Sequence, residues 1–264
     1  MDTQLLKSSK ILLIGELCVD RYLFGTTDRI SQEAPVPIFK SSGWTDKEGM
    51  GGNVKSNLES LGNDVHFVHN DEPIRKTRVI DSKHNQQLLR LDREDTPLRA
   101  FDFSFLPDVK GYDAVVVSDY NKGFLPLNVL YDISHEAYLQ DVPMFIDTKK
   151  SYLDGIKGCF VKLNEHEYKN LKSPIKENHY IVTLGSKGAS YRSKTYEGIE
   201  VPLADPTGAG DTFIAAFTSA YLSCGDIPRA IDFANLCAAI SVCKLGCHVV
   251  TMDSIDEYYD NLKE

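Results

Sequence analysis

Four short runs of aliphatic and β-branched residues, 11–14, 114–117, 144–146 and 180–184, each stop at a Gly, Ser, Asp or Thr and are separated by helical patterns. A strand that is apolar on both faces must be covered on both, so these runs predict buried parallel strands. Within 52–62, Val54, Leu58 and Leu61 fall on one helical face; within 227–246, Ile227, Ala230, Ile231 and Ala234 do the same, with Gly246 as a stop. Strand–helix alternation of this kind predicts a doubly wound α/β fold. Such a fold has a mostly parallel sheet with helices on both faces, and it binds ligands at the carboxyl ends of its strands.

Two stretches break the alternation. Residues 22–45 and 75–93 alternate apolar and polar positions between turn signals, which predicts antiparallel strands outside the main sheet, arranged as a small lid. No repeat, low-complexity tract or Pro/Gly-rich linker divides the chain, so residues 1–264 read as one domain. A net charge of −9 argues against a general binder of nucleic acid or of anionic membrane surfaces. No apolar run reaches membrane-spanning length and no signal peptide is recognisable, so the expected location is cytoplasmic. The six cysteines form no CxxC pair. Cys243, Cys247 and His248 are the nearest thing to a metal cluster, and buried core thiols are the simpler reading.

The stretch DPTGAGDTF, 205–213, runs directly into an apolar helical pattern. Gly208, Ala209 and Gly210 carry almost no side chain, so their amides can approach an anion with a helix N-terminus behind them. An acidic Asp211 beside a phosphate makes sense if that phosphate is being transferred and the carboxylate faces the attacking hydroxyl. The helix dipole is expected to keep Asp211 ionised. A plain helix entry with a favourably placed charge is the structural alternative.

These residues, with others in a fixed order, resemble the ribokinase-like (PfkB) family of carbohydrate kinases. GELCVD supplies Asp20, which the resemblance assigns to sugar hydroxyls, and GMGGN supplies Gly51, Gly52 and Asn53 as a sugar-binding turn. NEHE supplies Asn164 and Glu167, implied to organise Mg2+ through water. TLGSKG (Thr183, Gly185, Lys187, Gly188) resembles the ATP-phosphate loop, and the segment carrying Asn235 and Gly246 resembles the adenine-pocket lining. Alone, each motif has an ordinary structural explanation: Asp20 as a strand-end cap, Gly51–Gly52 as a turn, Asn164 and Glu167 as a capping box, Lys187 as a solvated charge.

The stretches RISQEAPVP, NQQLLRLD and SDYNKG are similar to the kinase part of heptose-7-phosphate kinases, which implies transfer to the anomeric hydroxyl of D-glycero-D-manno-heptose 7-phosphate. Arg78, Arg90, Lys122 and Lys149 are expected to contact the sugar phosphate, and Asp119 to lie at the site. Another sugar, phosphosugar or nucleoside, or an inactive binding protein, are the alternatives. The resemblance further implies ATP and Mg2+, a monovalent cation such as K+, a homodimer joined through the lid, and a separate nucleotidyltransferase acting on the product, since no such domain is recognisable in 1–264. The chain departs from the family pattern by shortening after His69 and again after Leu171.

Overall fold

The computed structural model describes residues 6–72, 74–93, 97–202, 205–244 and 246–261. With strands numbered along the chain, the main sheet contains β1 (Lys10–Gly15), β4 (Asp64–His69), β7 (Ala114–Asp119), β8 (Met144–Thr148), β9 (Phe160–Asn164), β10 (His179–Thr183), β11 (Ala189–Tyr191) and β12 (Lys194–Tyr196). Their order is β12-β11-β10-β9-β8-β7-β1-β4; the run from β10 to β4 is parallel, and β11 and β12 add antiparallel. All four predicted strands are present. β7 and β8 are buried at every position, as strands covered on both faces must be.

Alternate residues feed two cores. Ile11, Leu13, Val116 and Phe145 pack under α1 (Gly51–Ser60), α4 (Ala209–Cys224), α5 (Ile227–Val242) and α6 (Met252–Asn261). Leu12, Ile14, Val115 and Ile146 pack under α2 (Leu127–Leu139). A six-residue helix, α3 (Glu165–Asn170), follows β9. Ten successive residues of α4, from Asp211 to Ala220, are buried, so its N-terminus opens deep inside the molecule at the carboxyl ends of the strands. The helix predicted to run to Gly246 stops at Val242. Among the described residues no helix is long and apolar enough to cross a membrane.

The second sheet has the order β3-β2-β5-β6, formed by β2 (Leu17–Ile30), β3 (Pro37–Met50), β5 (Ile74–Asp81) and β6 (Gln86–Arg93). Its strands are longer than predicted at the N-terminal side of the first segment, and its central pair β2–β5 is parallel rather than antiparallel. The reason lies in the connections: β1 and β4 are parallel neighbours, and each passes into the second sheet through only a few residues, so their continuations keep the same direction.

Glu16 sits at the junction of β1 and β2, fully buried. Its Oε1 accepts from the amides of Lys122 (2.7 Å) and Phe124 (3.3 Å), and its Oε2 from the amide of Tyr120 (2.5 Å). Burial and the neighbouring Asp119 push its pKa up, and those three amides oppose the rise. The acid thereby holds the loop after β7 against the start of the second sheet.

Candidate active site

Helix α4 begins without a side-chain cap: Gly208 adopts φ 84°, in the left-handed region, and carries the chain into the first turn. The first amides of a helix have no carbonyl one turn behind them, which leaves this end electropositive. Asp205 braces the loop, accepting from the Thr207 amide (2.9 Å) and hydroxyl (2.6 Å) and from the Gly246 amide (2.9 Å). Gly208, Gly210 and Asp211 line a cavity of about 240 Å³ together with Tyr120, Asp147 and Lys162.

Asp211 is buried, and both of its carboxylate oxygens are held. Tyr120 Oη donates to Oδ1 at 2.6 Å and Asn53 Nδ2 to Oδ2 at 3.0 Å. Asn53 is itself oriented by Asn57, whose Nδ2 donates to its carbonyl (2.8 Å) and its Oδ1 (3.3 Å). Burial raises the Asp211 pKa to about 6; the Tyr120 and Asn53 hydrogen bonds pull it down, Asp147 adds to the rise and Lys162 opposes it. An Asp211 ionised at neutral pH agrees with this value, which burial and these side chains govern. Its pKa lies above the ordinary carboxylate range, though still below neutral pH.

Lys162 and Asp147, side by side on β9 and β8, form a buried ion pair at 2.8 Å, and Asp147 Oδ1 has no hydrogen-bond partner. Across the cavity, Asn164 and Glu167 make a full capping box on α3: Asn164 Oδ1 accepts from the Glu167 amide (2.8 Å) and Glu167 Oε2 from the Asn164 amide (2.7 Å). Glu167 Oε1 accepts from Lys149. Burial alone would raise the Glu167 pKa, but the Asn164 amide and the Lys149 ammonium outweigh it and lower it. The capping role and the cavity-facing role of Asn164 coexist, because Asn164 also lines the cavity.

Thr183 and Gly210 connect this cavity to a second one of about 400 Å³ between the β10–β11 turn and helices α4 and α5. Gly185 and Gly188 shape the turn, with φ 62° and 90°. Val201, Phe213, Ala238 and Val242 supply apolar walls of a kind that suits a flat heterocycle. Ala209 also lines it. Asn235 lies on the wall, and its Nδ2 donates to the Tyr196 and Glu197 carbonyls, both at 3.2 Å, which braces the backbone there. A third cavity, of about 500 Å³, is walled by Asn53 together with Lys47, Cys247 and His248. Asp20 is buried nearby on β2, facing Arg78 at 3.6 Å.

Several predicted site residues fall elsewhere. Arg90 is exposed on β6 and pairs with Asp92 at 2.9 Å. Asp119 is enclosed by Thr148 (2.6 Å) and Lys150 (2.8 Å) and lines none of these cavities. The Lys122 backbone belongs to the Glu16 clamp. Lys149, by contrast, does line the cavity of Asp211, where its ammonium pairs with Glu167. Lys187 is exposed and lines neither cavity beside α4. Gly246 packs against the Tyr22 hydroxyl and not in the apolar cavity. A Cβ on Gly51 would strike the Phe67 ring at 2.7 Å, and one on Gly52 the Glu48 side chain at 2.5 Å, so both glycines are needed for close packing at the start of α1. All six cysteines are free thiols. Among the described residues no set of three or more His, Cys, Asp or Glu gathers to hold a metal, Cys243, Cys247 and His248 included.

Tyr120, Asp147 and Lys162 were not anticipated. Their signal is faint in the sequence: a lysine inside the otherwise apolar FVKLN, and polar residues just past the ends of buried runs.

The profile described as pfkB family carbohydrate kinase matches residues 48–253. Among curated proteins, the Bifunctional protein HldE of Sulfurimonas denitrificans is 30% identical across 96% of this chain, and that of Campylobacter jejuni subsp. jejuni serotype O:2 is 31% identical across 94%. The chain spans 65% and 64% of their respective lengths. Among solved structures, the phosphofructokinase-2 of Escherichia coli in complex with potassium superimposes with a TM-score of 0.75 at 16% identity, covering 98% of this chain and 100% of that one. The Arabidopsis thaliana ribokinase complexed with ribose and ATP gives 0.67 at 16% identity, covering 95% and 98%. The fold is therefore ribokinase-like, and the chain belongs to the pfkB family of carbohydrate kinases, phosphotransferases that act on a hydroxyl acceptor.

Proposed function

We propose that this chain transfers the γ-phosphate of ATP to the anomeric hydroxyl of a phosphosugar, D-glycero-D-manno-heptose 7-phosphate, giving the 1,7-bisphosphate. The observation that carries the reading is the buried carboxylate of Asp211 at the N-terminus of α4, which lines the cavity of Asp147 and Lys162 and is bonded to Asn53, a residue that lines the cavity of Lys47 and His248. Similarity to the HldE proteins supports the choice of sugar.

The acceptor hydroxyl meets Asp211, which takes its proton as the oxygen attacks the γ-phosphorus and the bond to the β–γ bridging oxygen breaks. A carboxylate with a pKa of about 6 is mostly ionised at neutral pH and a better base than an exposed aspartate. Tyr120 and Asn53 fix its orientation from either side. Lys162, together with the amides of Gly208, Ala209 and Gly210, stabilises charge on the transferred group, and Asp20 and Asn53 hold sugar hydroxyls. ATP fits the apolar cavity, with its phosphates directed past Thr183 toward α4.

Magnesium beside a nucleotide takes one or two protein carboxylates, with phosphate oxygens and water completing its shell. Asp147, with its unpartnered buried oxygen, and Glu167 fit that requirement, with Asn164 aiming Glu167. When bound, the metal neutralises phosphate charge. The potassium of the E. coli phosphofructokinase-2 structure is a precedent for a monovalent cation here. A nucleotidyltransferase acting on the 1-phosphate is the next step we infer.

The test is an ATP-consumption screen over heptose 7-phosphate, fructose 6-phosphate, ribose and nucleosides. Heptose 7-phosphate is expected to give the highest kcat/KM by at least tenfold. A neutral sugar or a nucleoside as the best acceptor would sink the reading.

A further inference from the structure

Tyr120 and Asn53 hold the two carboxylate oxygens of Asp211, and one residue stands behind both of them. Glu16 is fully buried where β1 passes into β2. Its carboxylate accepts from the Tyr120 amide. Its backbone carbonyl accepts from the amide of Gly51 at 2.9 Å, at the first residue of α1 and two positions before Asn53. The Glu16 amide donates in turn to the Ser118 carbonyl at 3.2 Å, which ties the junction to β7. A Cβ on the preceding Gly15 would come within 2.3 Å of that carbonyl, so the strands meet here with no room to spare.

The loop that carries Tyr120 does not fix its own shape. It turns through Asn121 and Gly123, whose φ values of 57° and 109° are both left-handed. A non-glycine residue keeps such a conformation only where its surroundings impose it. Glu16 supplies much of that constraint, gathering the amides of Tyr120, Lys122 and Phe124 onto two oxygens. A glutamine of the same size could not do so, because it has one acceptor oxygen and would turn its NH2 against an N–H donor. A carboxylate is an expensive choice at this place, since burial and Asp119 both disfavour its charge. What the loop delivers is the Tyr120 side chain, whose amide rests on Glu16 Oε2 and whose hydroxyl rests on Asp211 Oδ1 at 2.6 Å.

We infer that Glu16 is a positioning residue for phosphoryl transfer, holding the Tyr120 backbone and the entrance of α1 so that Tyr120 and Asn53 meet the two oxygens of Asp211. Glu16 does not touch the reacting atoms, and its side chain acts through Tyr120. The inference rests on the reading of Asp211 as the base and on no particular acceptor.

The experiment is a double-mutant cycle on the full chain with Glu16→Gln, Tyr120→Phe and the pair, using Mg-ATP and the best acceptor of the screen, with Asp211→Asn measured alongside. Glu16→Gln is expected to lower kcat by about tenfold, the scale of one hydrogen bond lost at the base, with the KM for ATP within about twofold of wild type. In the Tyr120→Phe background the same substitution should lower kcat by less than about twofold, because the contact it acts through is already gone. Urea titration of each variant separates lost stability from lost turnover. If Glu16→Gln does not fold, the cycle is run with Glu16→Asp, which keeps the charge but withdraws it by one methylene; a smaller loss that again vanishes beside Tyr120→Phe is expected. A wild-type kcat in the Glu16 variant, or losses that simply multiply in the pair, would reduce Glu16 to a structural tether while Asp211 keeps its role. Near-normal turnover in Asp211→Asn would remove the base, and the inference with it.

Discussion

Asp211 has to be basic enough to take a proton yet still ionised at the pH where the enzyme works, and its neighbours set that compromise. Burial pushes its pKa up to about 6, so kcat/KM is expected to fall as pH drops through about 6 and the carboxylate is protonated. The Tyr120 hydrogen bond favours the charged form, so removing it must raise the pKa further. Tyr120→Phe is therefore predicted to move the acid limb of the pH–rate profile upward by about half to one unit, the equivalent of about 1 kcal/mol. A uniform loss of activity with no displacement of the limb would assign Tyr120 a packing role only. Asp211→Asn is predicted to cut kcat by about a thousandfold or more while the Kd for ATP, measured by calorimetry, changes less than about threefold. Near-normal turnover in that variant would remove Asp211 from the chemistry.

At the scale of elements, the entrance to α4 is the most constrained point in the fold. Gly208 needs its left-handed φ of 84°, and a Cβ there would meet Asn53 Nδ2 at 2.7 Å. Gly208→Ala is predicted to destabilise the protein by about 1–2 kcal/mol from backbone strain. It should also lower kcat by displacing the Asn53 amide from Asp211, an effect that urea titration and steady-state kinetics on the same variant separate. Much of this element was legible beforehand, because a run of small residues before an apolar helix has few other uses. The β9 strand was not. Its Lys162 interrupts the apolar pattern that identifies buried strands, and only the ion pair with Asp147, 15 positions away in sequence, makes a lysine tolerable there. The functional cation and the missed strand are thus one fact. Arg90 and Lys122 failed for the opposite reason: a basic residue on an alternating strand or in a turn gives no indication of which face it joins, and a one-residue change of register reverses the answer.

On the scale of the whole molecule, the second sheet has two unlike faces. One carries Asp20, Tyr22 and Arg78 toward the cavities. On the other, register places Trp44, Leu23, Val79 and Leu89 in a row across all four strands, and Trp44 and Leu89 keep 62% and 53% of their surface exposed. Leu91, 55% exposed, extends the patch on β6. Val79 is already buried, so the exposed apolar patch is Trp44, Leu89 and Leu91, which is costly in an isolated monomer and well suited to burial against its own copy. The homodimer expected from the resemblance is therefore proposed to form through this face. Sedimentation at micromolar concentration should give a dimer for wild type and a monomer for Trp44→Glu combined with Leu89→Glu. Because the opposite face of the same strands carries Asp20 and Arg78, the monomer should also show a raised KM for the acceptor with little change in the KM for ATP. A wild-type monomer, or a double variant that stays dimeric, would move the interface elsewhere. A monomeric variant with unchanged acceptor KM would show that the sheet holds its shape without its partner.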